Sequence, residues 1–424
     1  MTNLEKKINN KKLNVGIIGL GYVGLELLLA IDQKKFNVIG FDKNKAKIKL
    51  LKKNISPINT VSNRRIKNIK AQFEDTKNYR LITNVDIIII CLPTPLKKDN
   101  TPDNFYLTEC LNGIFKYLKK NQLLIIESTV YPGCTKDIFI KKIKKKFNIG
   151  KNFFIGFSPE RVSPAKKISL NYNQIVKLVS GKTLKCLKLT KLFYEKVFEK
   201  VYPCKSIEVA EFTKIYENAY RSINIGFVNQ MKIISNKLGI NIYEVIKAAS
   251  SKPFGFIPFL PSPGVGGHCI PIDPSFISFV AKTKKLNSSL IDSARKINIE
   301  VTNWVLKRIK KKLKTNKKIL VLGLGYKKDV DDIRESASIK IFKKLKKKYK
   351  VSFYDPYIKK IKILNKEYHC TNKLNYKVLS KYDGVVLATD HSVFKYNKIL
   401  KFSKIIFDTR TKYGNSKLKK VIHC

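Results

Sequence analysis

The sequence predicts an α/β protein made of two doubly wound parallel sheets with a long helical section between them. Three observations carry this reading. In the first part of the chain, short and almost wholly apolar runs alternate with lysine-rich amphipathic stretches, as parallel strands buried on both faces and linked by helices should. The same rhythm restarts after residue 315. Between the two, 206–238 and 288–313 keep apolar residues at helical spacing with no Gly-Pro break, which reads as long helix.

The elements follow in order. After a polar leader, Met1 to Asn14, a strand is expected over Leu13 to Gly19, and a helix opens directly on Gly21 and runs to Ile31. The second strand spans Phe36 to Phe41 and is closed by Asp42. Further strands are expected at Val85 to Leu92, Leu123 to Glu127 and Phe153 to Phe157, with Thr135 to Phe147 as one of the amphipathic segments between them. Ser251 to Pro274, dense in Pro, Gly and Phe, is irregular and reads as a site loop. The second sheet is expected from Lys318 to Leu322, Val351 to Tyr354, Gly384 to Ala388 and Lys404 to Phe407, with a helix over Ser336 to Lys346. This gives domains at 1–203, 204–314 and 315–424.

Length and composition exclude several classes. A chain of 424 residues, 44% hydrophobic, has enough apolar side chain for two or three cores and is not a disordered molecule. Its net charge of +55 comes from 86 basic against 31 acidic residues. Only nine of the 86 are arginine, and the 77 lysines are spread along the whole chain. Nucleic-acid interfaces lean on arginine for bidentate contacts, so the charge is read as a compositional drift toward lysine on solvated faces, with no specific nucleic-acid partner. The eight cysteines are scattered, with no Cys-x-x-Cys pair. They read as reduced thiols in a cytoplasmic protein without a metal site. No run reaches the 18 apolar residues of a membrane span and no secretion signal is visible.

Several motifs point to chemistry. Gly19-Leu20-Gly21-Tyr22-Val23-Gly24 lies between a predicted strand and helix, and Asp42 ends the next strand. Glycines there allow a tight turn and close approach of a pyrophosphate to a helix N-terminus, and the acid can bond the ribose hydroxyls. Gly323-Leu324-Gly325 repeats the start of that pattern but has Lys328 at the third glycine position. It is either a site for another phosphate ligand, with Lys327 or Arg334 as counter-charge, or a turn among solvated charges. Cys269 follows the flexible glycines Gly264, Gly266 and Gly267 and is either a nucleophile or a small buried hydrophobe. The adjacent His268 reads as a packing residue. Ser158-Pro159-Glu160-Arg161 follows a strand, where such sheets place ligands, making Glu160 a candidate base and Arg161 a phosphate partner. Lys214 and Asn218 are four apart on one helix face.

Together these residues resemble the UDP-glucose/GDP-mannose dehydrogenase family from about Leu13 to Gly414. The resemblance also rests on Cys91-Leu92-Pro93-Thr94-Pro95, Glu127-Ser128-Thr129-Val130-Tyr131-Pro132-Gly133, Ala210-Glu211-Phe212-Thr213-Lys214, the run Lys327 to Ser336, and Phe407-Asp408-Thr409-Arg410. It implies two Rossmann-like domains joined by a central helix through which the protein dimerises, and four-electron oxidation of C6 of a UDP-sugar by two NAD. It implies that Cys269 is the nucleophile, that Lys214 and Asn218 stabilise charge on the C6 oxygen, and that Glu160 and Asp273 handle protons and water with Thr129 nearby. For NAD it implies Gly19, Gly21, Tyr22, Val23, Gly24, Asp42, Lys47, Thr94, Thr129 and Arg334. For the UDP-sugar it implies Glu160 to Ser163, with Arg161 and Val162, then Lys214, Asn218, Arg221, Phe259, Gly264, Gly266, Gly267, Tyr326, Lys327 and Arg410. Ile272 stands where UDP-glucose oxidising members have a lysine. With Lys252 to Phe256 it resembles the branch acting on UDP-N-acetylhexosamines, UDP-N-acetylglucosamine above all, in surface polysaccharide synthesis. UDP-glucose and UDP-N-acetylmannosamine are the alternatives among substrates. The competing classes are a catalytically silent nucleotide-binding protein and a one-step alcohol dehydrogenase, which would have no need of Cys269.

Overall fold

The computed structural model describes residues 2–161, 172–267, 269–363, 365–371, 374–414 and 418–424. It divides into two compact units, 1–217 with 275–286, and 218–274 with 287–424.

The first unit is built on β1 (Asn14–Ile18), β2 (Asn37–Asp42), β3 (Gln72–Asp75), β4 (Ile87–Ile90), β5 (Leu123–Ile126), β6 (Phe154–Phe157), β7 (Lys177–Gly181) and β8 (Val201–Pro203). They form one sheet in the order β3-β2-β1-β4-β5-β6-β7-β8. The first six strands keep the order of a dinucleotide-binding sheet, whose switch point lies between β1 and β4. Alternate side chains of each central strand feed opposite cores. Val15, Ile17, Ile87, Ile89, Leu123 and Ile125 pack on one face, and Ile18, Ile88, Ile90, Leu124 and Ile126 on the other. Each such fully buried side chain contributes about 1.5–3 kcal/mol, which is why these strands are continuous apolar runs.

Three expectations need correction here. The sheet is not wholly parallel: β7 pairs antiparallel with β6 through Gly156↔Gly181 and Phe157↔Ser180. The segment from Thr135 begins as a π-helical stretch, Thr135–Ile140, before Lys141–Ile143 turns α-helical. The irregular segment ends before Pro274, since a helix spans Asp273–Thr283. Proline is tolerated in a first helical turn, where its missing N–H would have no partner anyway.

The second unit carries β9 (Lys318–Leu322), β10 (Lys350–Tyr354), β11 (Lys360–Ile363), β12 (Lys366–His369), β13 (Gly384–Leu387), β14 (Ile406–Asp408) and β15 (Val421–His423). Five of these make a parallel sheet in the order β10-β9-β13-β14-β15. Ile319 and Val321 face one core and Leu320 and Leu322 the other. β11 and β12 form a separate antiparallel hairpin that the sequence pattern did not suggest.

The helical section consists mainly of Ile207–Lys237 and Ser289–Lys312. The first unit ends within the former helix at Glu217, and the second begins at Asn218. The α/β class and the helical middle section are thus as expected.

Candidate active site

In the first unit, the turn after β1 is forced by its glycines. Gly19 has φ +97°, and a Cβ on Gly24 would lie 1.9 Å from the Gly19 carbonyl oxygen. A side chain at either position would open the turn that leads into the helix Gly24–Gln33. At Gly21, by contrast, nothing lies within 4 Å of a Cβ position. A diphosphate can therefore approach the backbone there, at the helix N-terminus. Tyr22 and Val23 are half-buried on the same turn.

Asp42, at the end of β2, accepts from the Leu20 N–H at 3.0 Å, the Asn44 N–H at 2.8 Å and the Lys47 ammonium at 2.7 Å. Lys47 is thus a counter-ion to Asp42. Thr94, beyond β4, donates through Oγ1 to the Thr129 carbonyl beyond β5 at 2.5 Å. This ties together two loops at the carboxyl ends of the strands.

Glu211, fully buried in the first turns of the long helix, accepts from the N–H groups of Gly133 at 2.6 Å and Thr135 at 2.9 Å. Burial pushes its carboxyl up to about 7, against the pull of those hydrogen bonds. The contact fixes the helix against the loop that carries Thr129. Lys214 follows one turn later and is buried.

Glu160, just past β6, is also buried. It accepts from the Tyr172 hydroxyl and the Arg161 N–H, both at 2.7 Å, and lies 3.6 Å from the Lys177 ammonium. The Arg161 guanidinium is engaged with Glu217 at 2.6 Å and with the Val176 carbonyl. Val162 and Ser163 lie outside the described residues, as does His268.

In the second unit, Cys269 is exposed and precedes the helix Asp273–Thr283. Its carbonyl accepts from the N–H groups of Ile272 at 3.1 Å and Asp273 at 2.8 Å. Asp273 and Asn218 are buried together, the amide donating to the carboxylate at 2.5 Å. Arg221 in turn donates to the Asn218 carbonyl oxygen.

The glycine loop before Cys269 is fastened along its length. The Ser262 N–H donates to Asn229 at 2.9 Å, Thr302 to the Pro263 carbonyl at 2.7 Å, and the Gly267 N–H to the Arg334 carbonyl at 2.9 Å. Gly264 is held at φ +138°, where a Cβ would meet the Thr302 hydroxyl at 2.7 Å. The Tyr326 side chain lies against Gly266 and Gly267, so close that a Cβ on Gly266 would come within 2.8 Å of its Cβ and one on Gly267 within 2.8 Å of its ring.

Burial, and after it the charge of Arg221, hold the Lys327 ammonium below its usual range. Two cations so placed favour an anion between them. The Arg334 side chain forks onto Asp332 at 2.7–3.1 Å, Arg410 donates to the Ala388 carbonyl at 2.8 Å, and Phe259 packs on Tyr220 at 6.1 Å.

The second glycine fingerprint differs from the first at its second glycine. A Cβ on Gly325 would meet the Val330 carbonyl at 2.7 Å. The N–H groups of Leu324 and Gly325 both donate to Asp355, at 2.7 and 3.2 Å. His391 accepts from the Asp329 N–H at Nδ1 (3.0 Å), leaving Nε2 to bond Asp355 at 3.1 Å. The Val330 carbonyl thus fills the place where a pyrophosphate would approach the glycines, so this turn does not seat a dinucleotide as the first does, and any phosphate ligand here falls to side chains such as Lys327.

Sequence reasoning missed Asp355, although it closes the second strand of its sheet as Asp42 does. It also missed Lys177, which gave no signal among 77 lysines. Among the described residues, no group of three or more His, Cys, Asp or Glu is arranged to hold a metal. No helix among them is long and apolar enough to cross a membrane.

Comparison with known proteins places the whole chain. Residues 13–198 match the NAD binding domain of the UDP-glucose/GDP-mannose dehydrogenase family, 208–300 its central domain and 320–415 its UDP binding domain. The chain is 34% identical to protein CapL of Staphylococcus aureus, covering 94% of this chain and 95% of that one. It is 31% identical to a UDP-N-acetyl-D-glucosamine 6-dehydrogenase of Pseudomonas aeruginosa, over 94% and 97%. Among solved structures, the UDP-D-ManNAc dehydrogenase of Pyrococcus horikoshii superposes with a TM-score of 0.81 at 28% identity, over 94% and 95%. With the open glycine turn fitting the cofactor those domains take, the chain belongs to the UDP-glucose/GDP-mannose dehydrogenase family and is an NAD-dependent UDP-sugar dehydrogenase.

Proposed function

We propose that the protein oxidises C6 of a UDP-N-acetylhexosamine, UDP-N-acetylglucosamine foremost, to the uronic acid through a thioester on Cys269. The observation that supports this substrate class is that the P. aeruginosa and P. horikoshii relatives are both named for N-acetylated sugars, differing in the epimer. Ile272, buried beside Asp273, supplies no cation near the nucleophile. NADH formation against a panel of UDP-sugars tests the assignment. UDP-N-acetylglucosamine should give the highest kcat/KM and UDP-glucose at least about tenfold less, the range that pocket differences of this size command. Preference for UDP-glucose would overturn the assignment.

NAD, when bound at the open glycine turn, supplies the hydride acceptor for both oxidations. Lys214 and Asn218 stabilise the C6 oxygen as its proton leaves. The exposed Cys269 sulfur adds to the aldehyde carbon, and its proton passes to the carbonyl oxygen. Loss of hydride from that carbon, with the hydroxyl proton passing to water, then gives the thioester. Water attacks, Glu160 takes its proton, and the thiol and the acid are released. Asp273 orients Asn218 through their 2.5 Å contact, and Thr129 lines the cofactor side. Arg221 and Lys327 receive the substrate diphosphate, joined by Arg161, Tyr326, Arg410 and the loop Phe259 to Gly267. The segments 1–203, 204–314 and 315–424 serve as cofactor, central and UDP-binding domains of a cytoplasmic enzyme in surface polysaccharide synthesis.

A homodimer through the central helix completes the proposal. Ile215 and Val228 of that helix are buried in the chain itself. The exposed large apolar residues of that helix are Val209, Phe212 and Tyr216 in the first unit's part and Tyr220, Phe227 and Ile234 in the second's.

Asp42 should set the preference for NAD over NADP, because its carboxylate repels a 2′-phosphate and Lys47 offsets only part of that charge. Asp42→Ala is expected to raise the NADP/NAD ratio of kcat/KM about tenfold, or ~1.4 kcal/mol, measured with both cofactors at saturating sugar. An unchanged ratio would assign the discrimination elsewhere.

A further inference from the structure

Within the first unit, several segments bring ionisable groups to one buried spot. Glu127 follows β5, Glu160 follows β6, Lys177 opens β7, and Tyr194 comes from the helix Leu184–Glu195. The three charged residues are 1%, 6% and 3% exposed. The Lys177 ammonium hydrogen-bonds Glu127 at 2.9 Å but stands 3.6 Å from Glu160. Tyr194 donates to the other oxygen of Glu127. Tyr172 and the Arg161 N–H donate to Glu160, both at 2.7 Å. The rings of Tyr194 and Phe198 flank the ammonium at 5.3 Å. The Cys91 thiol also faces the cluster, pushed up by burial and then by the charge of Glu127. Arg161 is paired with Glu217 at 2.6 Å.

Among the described residues, the cluster sets two carboxylates around one ammonium. Buried carboxylates that share a cation bind a proton more readily than solvated ones, so the cluster can hold one proton that comes and goes. The distances divide it unequally: Glu127 holds the ammonium's hydrogen bond, and Glu160 receives only its field. Burial raises the Glu127 carboxyl against the pull of Lys177. Burial opposes the ammonium as well, but the two carboxylates outweigh it and hold the Lys177 proton above the ordinary lysine range. The lysine therefore remains the fixed charge.

We propose that Lys177 is the positioning residue for Glu160, forming a permanent pair with Glu127 and lending Glu160 only enough charge to let it take and release one proton per turnover. This rests on the reading of Glu160 as the group that takes the proton of the hydrolytic water.

The test is the acidic limb of the pH dependence of kcat for acid formation, which reports protonation of the base. Lys177→Met removes the cation facing two carboxylates. The anion of Glu160 becomes harder to form, the limb should move to higher pH by about one unit or more, and kcat should fall about 10²-fold. Lys177→Arg should restore the limb to its original place. Glu127→Gln leaves Lys177 wholly to Glu160, favours its anion and should move the limb to lower pH. A purely structural lysine would lower the melting temperature in these variants without moving the limb in opposite directions. Limbs that stay put, or move the same way in Lys177→Met and Glu127→Gln, would overturn the proposal. Should Lys177→Met fail to fold, Glu127→Gln and Lys177→Arg decide it alone. Glu160→Gln separates the two levels. Full acid formation by that variant removes Glu160 itself from the mechanism, whereas its loss with unmoved limbs in the others removes only Lys177.

Discussion

Cys269→Ala is expected to lower the rate of uronic acid formation about 10⁴-fold or more, as loss of a covalent nucleophile does, while NAD and UDP-sugar bind as before. The thiol is exposed, and its backbone is held by Ile272 and Asp273 at the start of a helix, so deleting one sulfur leaves the loop's fastenings intact. An aldehyde has no good hydride to give until a nucleophile has added to it. Sulfur does that and then departs as the leaving group when water attacks. The intact enzyme should yield two NADH per sugar and no free aldehyde, and slowed variants such as Glu160→Gln should carry a sugar adduct visible by mass. One NADH per sugar, or undiminished acid from Cys269→Ala, would return the protein to the simpler alcohol dehydrogenase chemistry.

Lys214→Ala should lower kcat about 10²- to 10³-fold, the cost of removing one preorganised charge at a developing oxyanion, with little change in NAD affinity. Lys214 is buried three residues beyond Glu211, whose carboxylate anchors that turn of the helix to Gly133 and Thr135. The helix turn that carries the ammonium is therefore fixed. Arginine should not replace it, since a planar fork cannot occupy the place of a compact cation. NAD titration beside steady-state kcat distinguishes this from a binding defect. A fall of less than tenfold confined to KM would overturn the assignment.

The strands that carry the two sheets were legible because Ile87–Ile90, Leu123–Ile126 and Lys318–Leu322 are packed on both faces, and such burial leaves no alternative composition. β3, Gln72–Asp75, and the hairpin Lys360–His369 were not legible. Most of their residues are polar and at least partly exposed, and each strand sends few side chains inward, Phe73 from β3 and Ile361 from the hairpin. The direction of β7 is set by its partner β6 and is not encoded in its own side chains. Among site residues, Cys269, Lys214, Asn218 and Glu160 stand in motifs, and Asn218 with Asp273 is joined in space as well. Lys177 could not be found, because in a chain with so many surface lysines only burial distinguishes the one that is enclosed by carboxylates.

The plugged turn at Gly325 has a kinetic consequence. With Val330 and Asp355 occupying the second fingerprint, the open turn at Gly21 is the one glycine fingerprint among the described residues that can admit a dinucleotide. If the protein carries out the proposed four-electron oxidation, both steps are expected in succession at a single berth, with a spent coenzyme leaving and a fresh one arriving between them. The half-oxidised sugar would have to outlast that exchange, and the proposed carbon–sulfur bond to Cys269 would give it a residence time that hydrogen bonds alone would not.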